Sequence, residues 1–297
     1  MKKIRFIIAY LLIAAAISSL AACTVKIETA ETSGSETAQQ TEGGTEAESS
    51  ASGNDRDTSG TEPETETAEI VMPRSGDGYP DGYKLSSAPW DDPYIKTLTF
   101  FGDSTTYHLK ARGEIPADRI IHGKAYTVSL IYLSDLRIRT ASETDDDYKT
   151  VSNYFLTHHP ERLIVTVGLG GGVTFVKSGK LDREGFIRYY DKLIGYIRDS
   201  SPETTVMLQS IFPVLENNYI GADNAVINEV NSWIREYADE KGLYYYDTHS
   251  VLTDGNGALK DSYAVKKDGS GNVDGYHITA EGYRAILNYI IAYKYEG

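Results

Sequence analysis

From residue 97 onward, short apolar runs alternate with longer stretches in which apolar positions recur every three or four residues. Leu98 to Phe101, Arg162 to Val167, Thr204 to Gln209 and Leu243 to Tyr246 read as strands. Residues 182 to 199, with Phe186, Ile187, Tyr190, Ile194 and Ile197, repeat at helical spacing, as do residues 222 to 241, with Val226, Ile227, Val230, Ile234 and Tyr237. Strands separated by amphipathic segments predict an α/β fold with a mostly parallel sheet and crossover helices lying on it. A last helix is expected just after His277, where Ile278-Thr279-Ala280-Glu281-Gly282 leads into Tyr283, Ile286, Leu287 and Ile290. His277 then sits in the preceding loop. Pro80, Pro89 and Pro93 keep residues 76 to 96 irregular, and one domain is expected over 76–297.

The N-terminal region is a different material. Lys2, Lys3 and Arg5 precede an apolar run from Phe6 to Leu20 that ends in small residues, the layout of an export signal. The run Leu20-Ala21-Ala22-Cys23 resembles a bacterial lipoprotein cleavage box, which makes residues 1–23 a lipoprotein signal peptide and Cys23 the lipidated first residue of the mature chain. An ordinary signal peptide or a short membrane anchor is the competing reading, although the apolar run is near the lower limit of about 17 residues for spanning a bilayer. Residues 24–75 are rich in Thr, Glu, Ser and Gly, with twelve acids against Lys26, Arg56 and Arg74. Such a segment cannot bury enough apolar surface to offset the entropy of ordering, so a disordered acidic tether is expected. The chain is thereby expected to be lipid-anchored to the cell membrane and to face outside the cytoplasm.

Charge and cysteine content narrow the partners. The formal net charge is −14, and residues 76–297 contribute 23 basic and 31 acidic side chains without an evident basic cluster, which argues against nucleic acid. Cys23 is the only cysteine, so no disulfide can form within the molecule and stability must come from an ordinary core. No cofactor is called for.

Two short motifs carry the chemistry. Gly102-Asp103-Ser104 follows the first strand of the domain, and Asp274-Gly275-Tyr276-His277 precedes the last helix. In these motifs and their placement the region 97 to 294 resembles the SGNH/GDSL hydrolases, a secreted bacterial branch of that family. The resemblance implies a three-layer α/β/α sandwich of flavodoxin-like type and a serine esterase without metal. A serine hydroxyl needs a base to become nucleophilic, and an imidazole suits that task near neutral pH. Ser104 is thus the candidate nucleophile, His277 its base, and Asp274 the carboxylate that orients the ring. For the oxyanion, the backbone N–H of Ser104 is one candidate donor, and the family adds a loop glycine and an asparagine. Gly123 is the candidate glycine, with Lys124-Ala125-Tyr126-Thr127 allowing other alignments. Where the family carries Gly-x-Asn, this chain has Gly168-Leu169-Gly170, so Gly170 stands in the asparagine's place and can offer only its backbone N–H. A flexible turn is the simpler reading of Gly170-Gly171-Gly172.

Other histidines carry less. His158-His159-Pro160 reads as a solvated turn, since no carboxylate stands at ligand spacing and no metal is expected. Tyr107 and His108 follow Ser104 on its helix, either lining the pocket or covering the helix surface. His122 and His249 have no assigned role, and Asp103 supports the nucleophile turn. The 23 tyrosines suit a sugar-binding surface and a core equally. The expected activity is removal of small acyl groups, such as acetyl, from glycans or related esters. The alternative is a catalytically reduced module that binds glycan or protein at the surface.

Overall fold

Alternate residues along a strand face opposite sides of a sheet, and here both sets are apolar. The computed structural model describes residues 78–295. The expected signal peptide and tether, and with them Cys23, lie outside the described residues. Seven strands, β1 (Leu98–Gly102), β2 (Ile120–Gly123), β3 (Arg137–Thr140), β4 (Lys149–Thr150), β5 (Arg162–Thr166), β6 (Thr205–Gln209) and β7 (Tyr244–Tyr246), form one sheet in the order β4-β3-β2-β1-β5-β6-β7. The five from β2 to β7 in that order are parallel, and β3 and β4 add an antiparallel edge.

The helices named below are α1 (Ser104–Tyr107), α2 (Leu109–Arg112), α3 (Val151–Phe155), α4 (Thr174–Lys177), α5 (Arg183–Ser200), α6 (Asn224–Lys241), α7 (His249–Leu252) and α8 (Ala280–Ala292). Phe101, Leu163, Val165, Val206, Leu208 and Tyr245 join one buried core with the apolar stripes of α5 and α6. Their strand neighbours Phe100, Ile164, Met207, Tyr244 and Tyr246 join a second core with Tyr283, Ile286, Leu287 and Ile290 of α8. The fold is therefore a three-layer α/β/α sandwich. Strands coated on both faces have no polar side to show, which explains their nearly unbroken apolar runs.

Helix ends fall where local chemistry satisfies them. The carboxylates of Asp182 and Asp223 accept the Gly185 and Ala225 N–H groups at the starts of α5 and α6, and Thr279 accepts the Gly282 N–H at the start of α8. Gly242 ends α6 in the left-handed conformation, φ 62°. No described helix is long and apolar enough to cross a membrane.

Strands β2, β3 and β4 carry no run long enough to stand out in the sequence. β3 reads Arg137-Ile138-Arg139-Thr140, with Ile138 fully buried and both arginines half-buried, and it pairs with β2 on one side and β4 on the other. The lead-in contains only two short 3₁₀ turns, Pro89–Asp91 and Ile95–Thr97. It is nevertheless fastened to α8, since the Asn288 side chain accepts from the Ser86 N–H at 2.7 Å and donates to the Ser86 carbonyl at 3.0 Å.

Phe186 links the core to the loop after β5. Its ring is fully buried, lies 5.8 Å from Trp233, and occupies the space that a β-carbon at Gly172 would enter. We expect Phe186→Ala to lower unfolding stability by about 3 to 5 kcal/mol, measured as a fall in the urea midpoint at unchanged m-value.

Candidate active site

At the end of β1 a β-carbon on Gly102 would sit 2.0 Å from Thr106 Oγ1 and 2.4 Å from the Thr166 carbonyl oxygen of β5. Only glycine is compatible with that approach, and the chain turns from β1 straight into α1. Asp103 caps α1, its Oδ1 accepting the Thr105 N–H at 3.0 Å and the Thr105 hydroxyl at 2.7 Å. Ser104 is the first residue of α1. From β1 the chain winds one way to β2, and β5 lies on β1's other side, so Ser104 stands at the carboxyl ends of two strands where the order reverses. That crevice is where open α/β sheets hold ligands.

His277 and Asp274 arrive from the other end of the domain. His277 Nε2 lies 3.0 Å from Ser104 Oγ, and His277 Nδ1 lies 2.9 Å from Asp274 Oδ2. Asp274 Oδ1 also accepts the Tyr276 and His277 N–H groups at 3.2 and 2.9 Å. Burial pushes the Asp274 carboxyl up, but the His277 amide, the imidazole and the Tyr276 amide together hold it below the usual carboxylate range. Asp274 is thus ionised whenever the imidazole can act as a base. The loop is held by the Leu215 N–H on the Gly275 carbonyl and the Tyr219 N–H on the Asp274 carbonyl, each 2.8 Å. Two further bonds tie the α1 and α2 side to the segment after His277: the Tyr283 hydroxyl donates to the Thr105 carbonyl, and Arg112 Nη1 donates to the Ile278 carbonyl at 3.1 Å.

His108, the last residue before α2, packs edge-to-face on His277 with ring centroids 4.6 Å apart. It belongs to the site and not to an outer helix face. Burial, His277 and Arg112 push its pKa down to about 4, and Asp274 opposes them. Tyr276 lies against the His277 ring, centroids 3.9 Å apart.

A cavity of about 130 Å³ opens over Ser104, lined by Asp103, Tyr126, Thr127, Val128, Leu169, Gly170, Gly171, Ile220 and Tyr276. Of the glycines singled out in the sequence, Gly170 reaches this wall. Gly123 ends β2 instead, where a β-carbon would meet the Thr127 carbonyl at 1.8 Å, and it is the following Tyr126 to Val128 segment that lines the cavity. Ala125 and Tyr126 both adopt left-handed backbone, φ 54° and 59°, a strained choice for residues with side chains. No sequence signal marked that conformation. Burial raises the Asp103 carboxyl, opposed by the bonds from Thr105, by nearby His277 and least by the Gly170 amide. Gly170 has nothing within 4 Å of a β-carbon, whereas at Gly171 one would meet the Val128 carbonyl at 2.2 Å.

The remaining histidines lie elsewhere. His158 stacks on Tyr154 at 4.1 Å, and His159 Nδ1 is 2.7 Å from Glu203. His122 is buried, its Nδ1 2.8 Å from the Gly123 carbonyl. A larger cavity, about 430 Å³, is lined by Asn231, Arg235, Asp247 and His249 beyond β7, but Ser104, His277 and Asp274 do not touch it. Among the described residues no group of three His, Cys, Asp or Glu side chains is placed to hold a metal.

Comparison with known proteins bears on this arrangement. The model of the GDSL-like lipase/acylhydrolase family matches residues 100–285. The chain is 31 % identical over 108 residues to N-acylneuraminate cytidylyltransferase of Escherichia coli O18:K1:H7; those residues are 36 % of this chain and 23 % of that protein, so the chain spans less than a quarter of this curated relative. Among solved structures it is similar to a GDSL-like lipase from Bacteroides thetaiotaomicron, with 16 % identity over 67 % of this chain and 88 % of that one and a TM-score of 0.44. It is also similar to a member of the lipolytic protein G-D-S-L family from Veillonella parvula, with 15 % identity over 65 % and 95 % and a TM-score of 0.41.

Two outcomes are expected from this geometry. Gly171→Ala must displace backbone, at about 1 to 3 kcal/mol, and should lower the melting temperature by several degrees, while Gly170→Ala leaves it within about one degree. The pKa of His108 is lower in the folded chain than in the unfolded one. The unfolded state therefore takes up the proton first, and stability falls as pH drops from about 6.5 to about 4. Melting temperatures measured across that window should show His108→Gln flattening the slope.

Proposed function

The chain belongs to the GDSL-like lipase/acylhydrolase family, so its general chemistry is ester hydrolysis, and from that premise we propose a serine esterase that removes small acyl groups from glycans or related esters. The observation that carries the reading is the Ser104–His277–Asp274 chain of contacts opening on a small cavity. Ser104 Oγ attacks the ester carbonyl carbon as His277 Nε2 takes its proton. The tetrahedral intermediate collapses as His277 gives that proton to the leaving alkoxide, and the alcohol departs from an acyl-serine. Water then adds in the same way, its proton going to Nε2 and returning to Ser104 Oγ as the carboxylic acid leaves. Asp274 stays ionised and supports the imidazolium in both halves. The Ser104 N–H is the first candidate donor to the oxyanion.

Size argues for a short acyl group. A volume of 130 Å³ is that of about four water molecules at roughly 30 Å³ each, well below the roughly 300 to 1,000 Å³ of pockets that enclose larger ligands. Exported, lipid-anchored action follows from the reading of Lys2, Lys3, Arg5 and Cys23. A second reading, a catalytically reduced binding module, is favoured by one observation: Gly170 at the cavity wall offers no side-chain donor.

Turnover of p-nitrophenyl acetate, p-nitrophenyl laurate and acetylated xylan by the full chain tests both readings. We expect acetate to be the better acyl group, Ser104→Ala to lower kcat by roughly 10⁴-fold or more, and Asp274→Asn by roughly 10³ to 10⁴-fold. Equal turnover by Ser104→Ala, or a preference for laurate, would sink the proposal. A silent parent chain with an active Gly170→Asn variant would establish the reduced module.

A further inference from the structure

The cavity over Ser104 has room for an acyl group and none for the alcohol that carries it, so the leaving group must lie on the surface around the mouth. That surface differs from the rest of the domain. Tyr126, which lines the cavity, is 42 % exposed. The Tyr126 ring lies 4.1 Å from Tyr107, and His122 backs both rings at 5.0 and 5.2 Å. An exposed Tyr126 ring braced by half-buried Tyr107 and buried His122 is suited to lie against the C–H face of a sugar.

The charge at this wall is also unusual. The domain is acidic, with 31 acids to 23 bases over residues 76–297, yet Lys110 Nζ sits 4.3 Å above the Tyr107 ring and Arg139 stands 4.9 Å above Tyr148, behind His122. Burial pushes the Tyr107 phenol up, but contact with Lys110 and Tyr126 and the field of Lys110 and Arg139 bring it below its ordinary value. Arg139 is already committed, 3.1 Å from Asp145 and bonded to the Glu143 carbonyl. Lys110, held beside the Tyr107 phenol, forms no ion pair among the described residues and can meet an incoming charge.

We propose that this mouth is a leaving-group subsite for an O-acylated sugar bearing a carboxylate, with Tyr126 and Tyr107 beneath the ring and Lys110 facing the carboxylate. The proposal rests on the esterase reading and adds to it the chemical class of the alcohol. The acyl ester enters the Ser104 cavity, and the sugar stays outside on the aromatic wall.

The test compares kcat/KM of the full chain on two esters that differ only at C6, a methyl O-acetyl-galacturonide and the corresponding methyl O-acetyl-galactoside. At low salt the uronide should be preferred by about tenfold, as befits one charge-assisted contact. The preference should collapse near 1 M salt, where the screening length is roughly 3 Å. Lys110→Gln should remove the preference, Lys110→Glu should invert it, and Lys110→Arg should retain it. Equal handling of the two sugars by the parent chain, or a preference untouched by Lys110→Gln, overturns the subsite while p-nitrophenyl acetate turnover leaves the esterase reading standing. A chain that hydrolyses neither sugar ester nor p-nitrophenyl acetate overturns both.

Discussion

Between the end of β1 and α1 there is no space for a β-carbon, and the arrangement of the site depends on that exclusion. With Thr106 Oγ1 and the Thr166 carbonyl 2.0 and 2.4 Å from where the carbon would be, the strand runs into a helix without an intervening loop. Ser104 is then held at the carboxyl end of β1 by a rigid element. The same exclusion recurs at Gly171, whose missing side chain lets the loop after β5 touch the backbone at Val128. Two walls of one cavity are thus joined backbone to backbone, and the cavity cannot widen without breaking packed main chain.

Two buried aspartates near Ser104 show how environment divides their roles. Asp103 is 7 % exposed, and burial raises its carboxyl despite bonds from Thr105, the nearby His277 and the Gly170 amide. Asp274 is 6 % exposed, yet two backbone amides and an imidazole more than offset its burial. Asp274 is the carboxylate that can stabilise a cationic ring, because it remains charged. Asp103 spends its lone pairs on the amide and hydroxyl of Thr105, capping α1. The histidines divide in the same manner. His277 has a carboxylate on one nitrogen and a hydroxyl on the other, while burial drives His108 toward its neutral form.

Strands β1, β5, β6 and β7, the long helices and the positions of Ser104, Asp274 and His277 were legible in the sequence because each rests on a local pattern. An apolar run marks a strand coated on both faces, and a 3.6-residue repeat marks a helix that covers one. β2, β3 and β4 were not legible: they are at most four residues long, and β3 carries two arginines where a strand coated on both faces would carry apolar residues. The wall from Tyr126 to Val128 was missed for another reason. Its left-handed residues are Ala125 and Tyr126, where a sequence reader looks for glycine, and attention fell instead on Gly123 at the end of the preceding strand. The contact between His108 and His277 joins residues 169 positions apart, and no spacing rule announces it.

With glycine at position 170, no side chain there positions the loop after β5. A side-chain amide would both brace the loop and supply a donor; here the bracing comes from other sources. Phe186 fills the space behind Gly172, and Gly171 rests on the Val128 carbonyl. These contacts fix the loop through packing and main chain, leaving position 170 itself open to solvent with nothing within 4 Å of a β-carbon. A cavity bounded this tightly on the acyl side has little room to discriminate beyond size. Discrimination between esters then falls to the alcohol side, where side chains rather than backbone form the surface and where Tyr126, Tyr107 and Lys110 stand together.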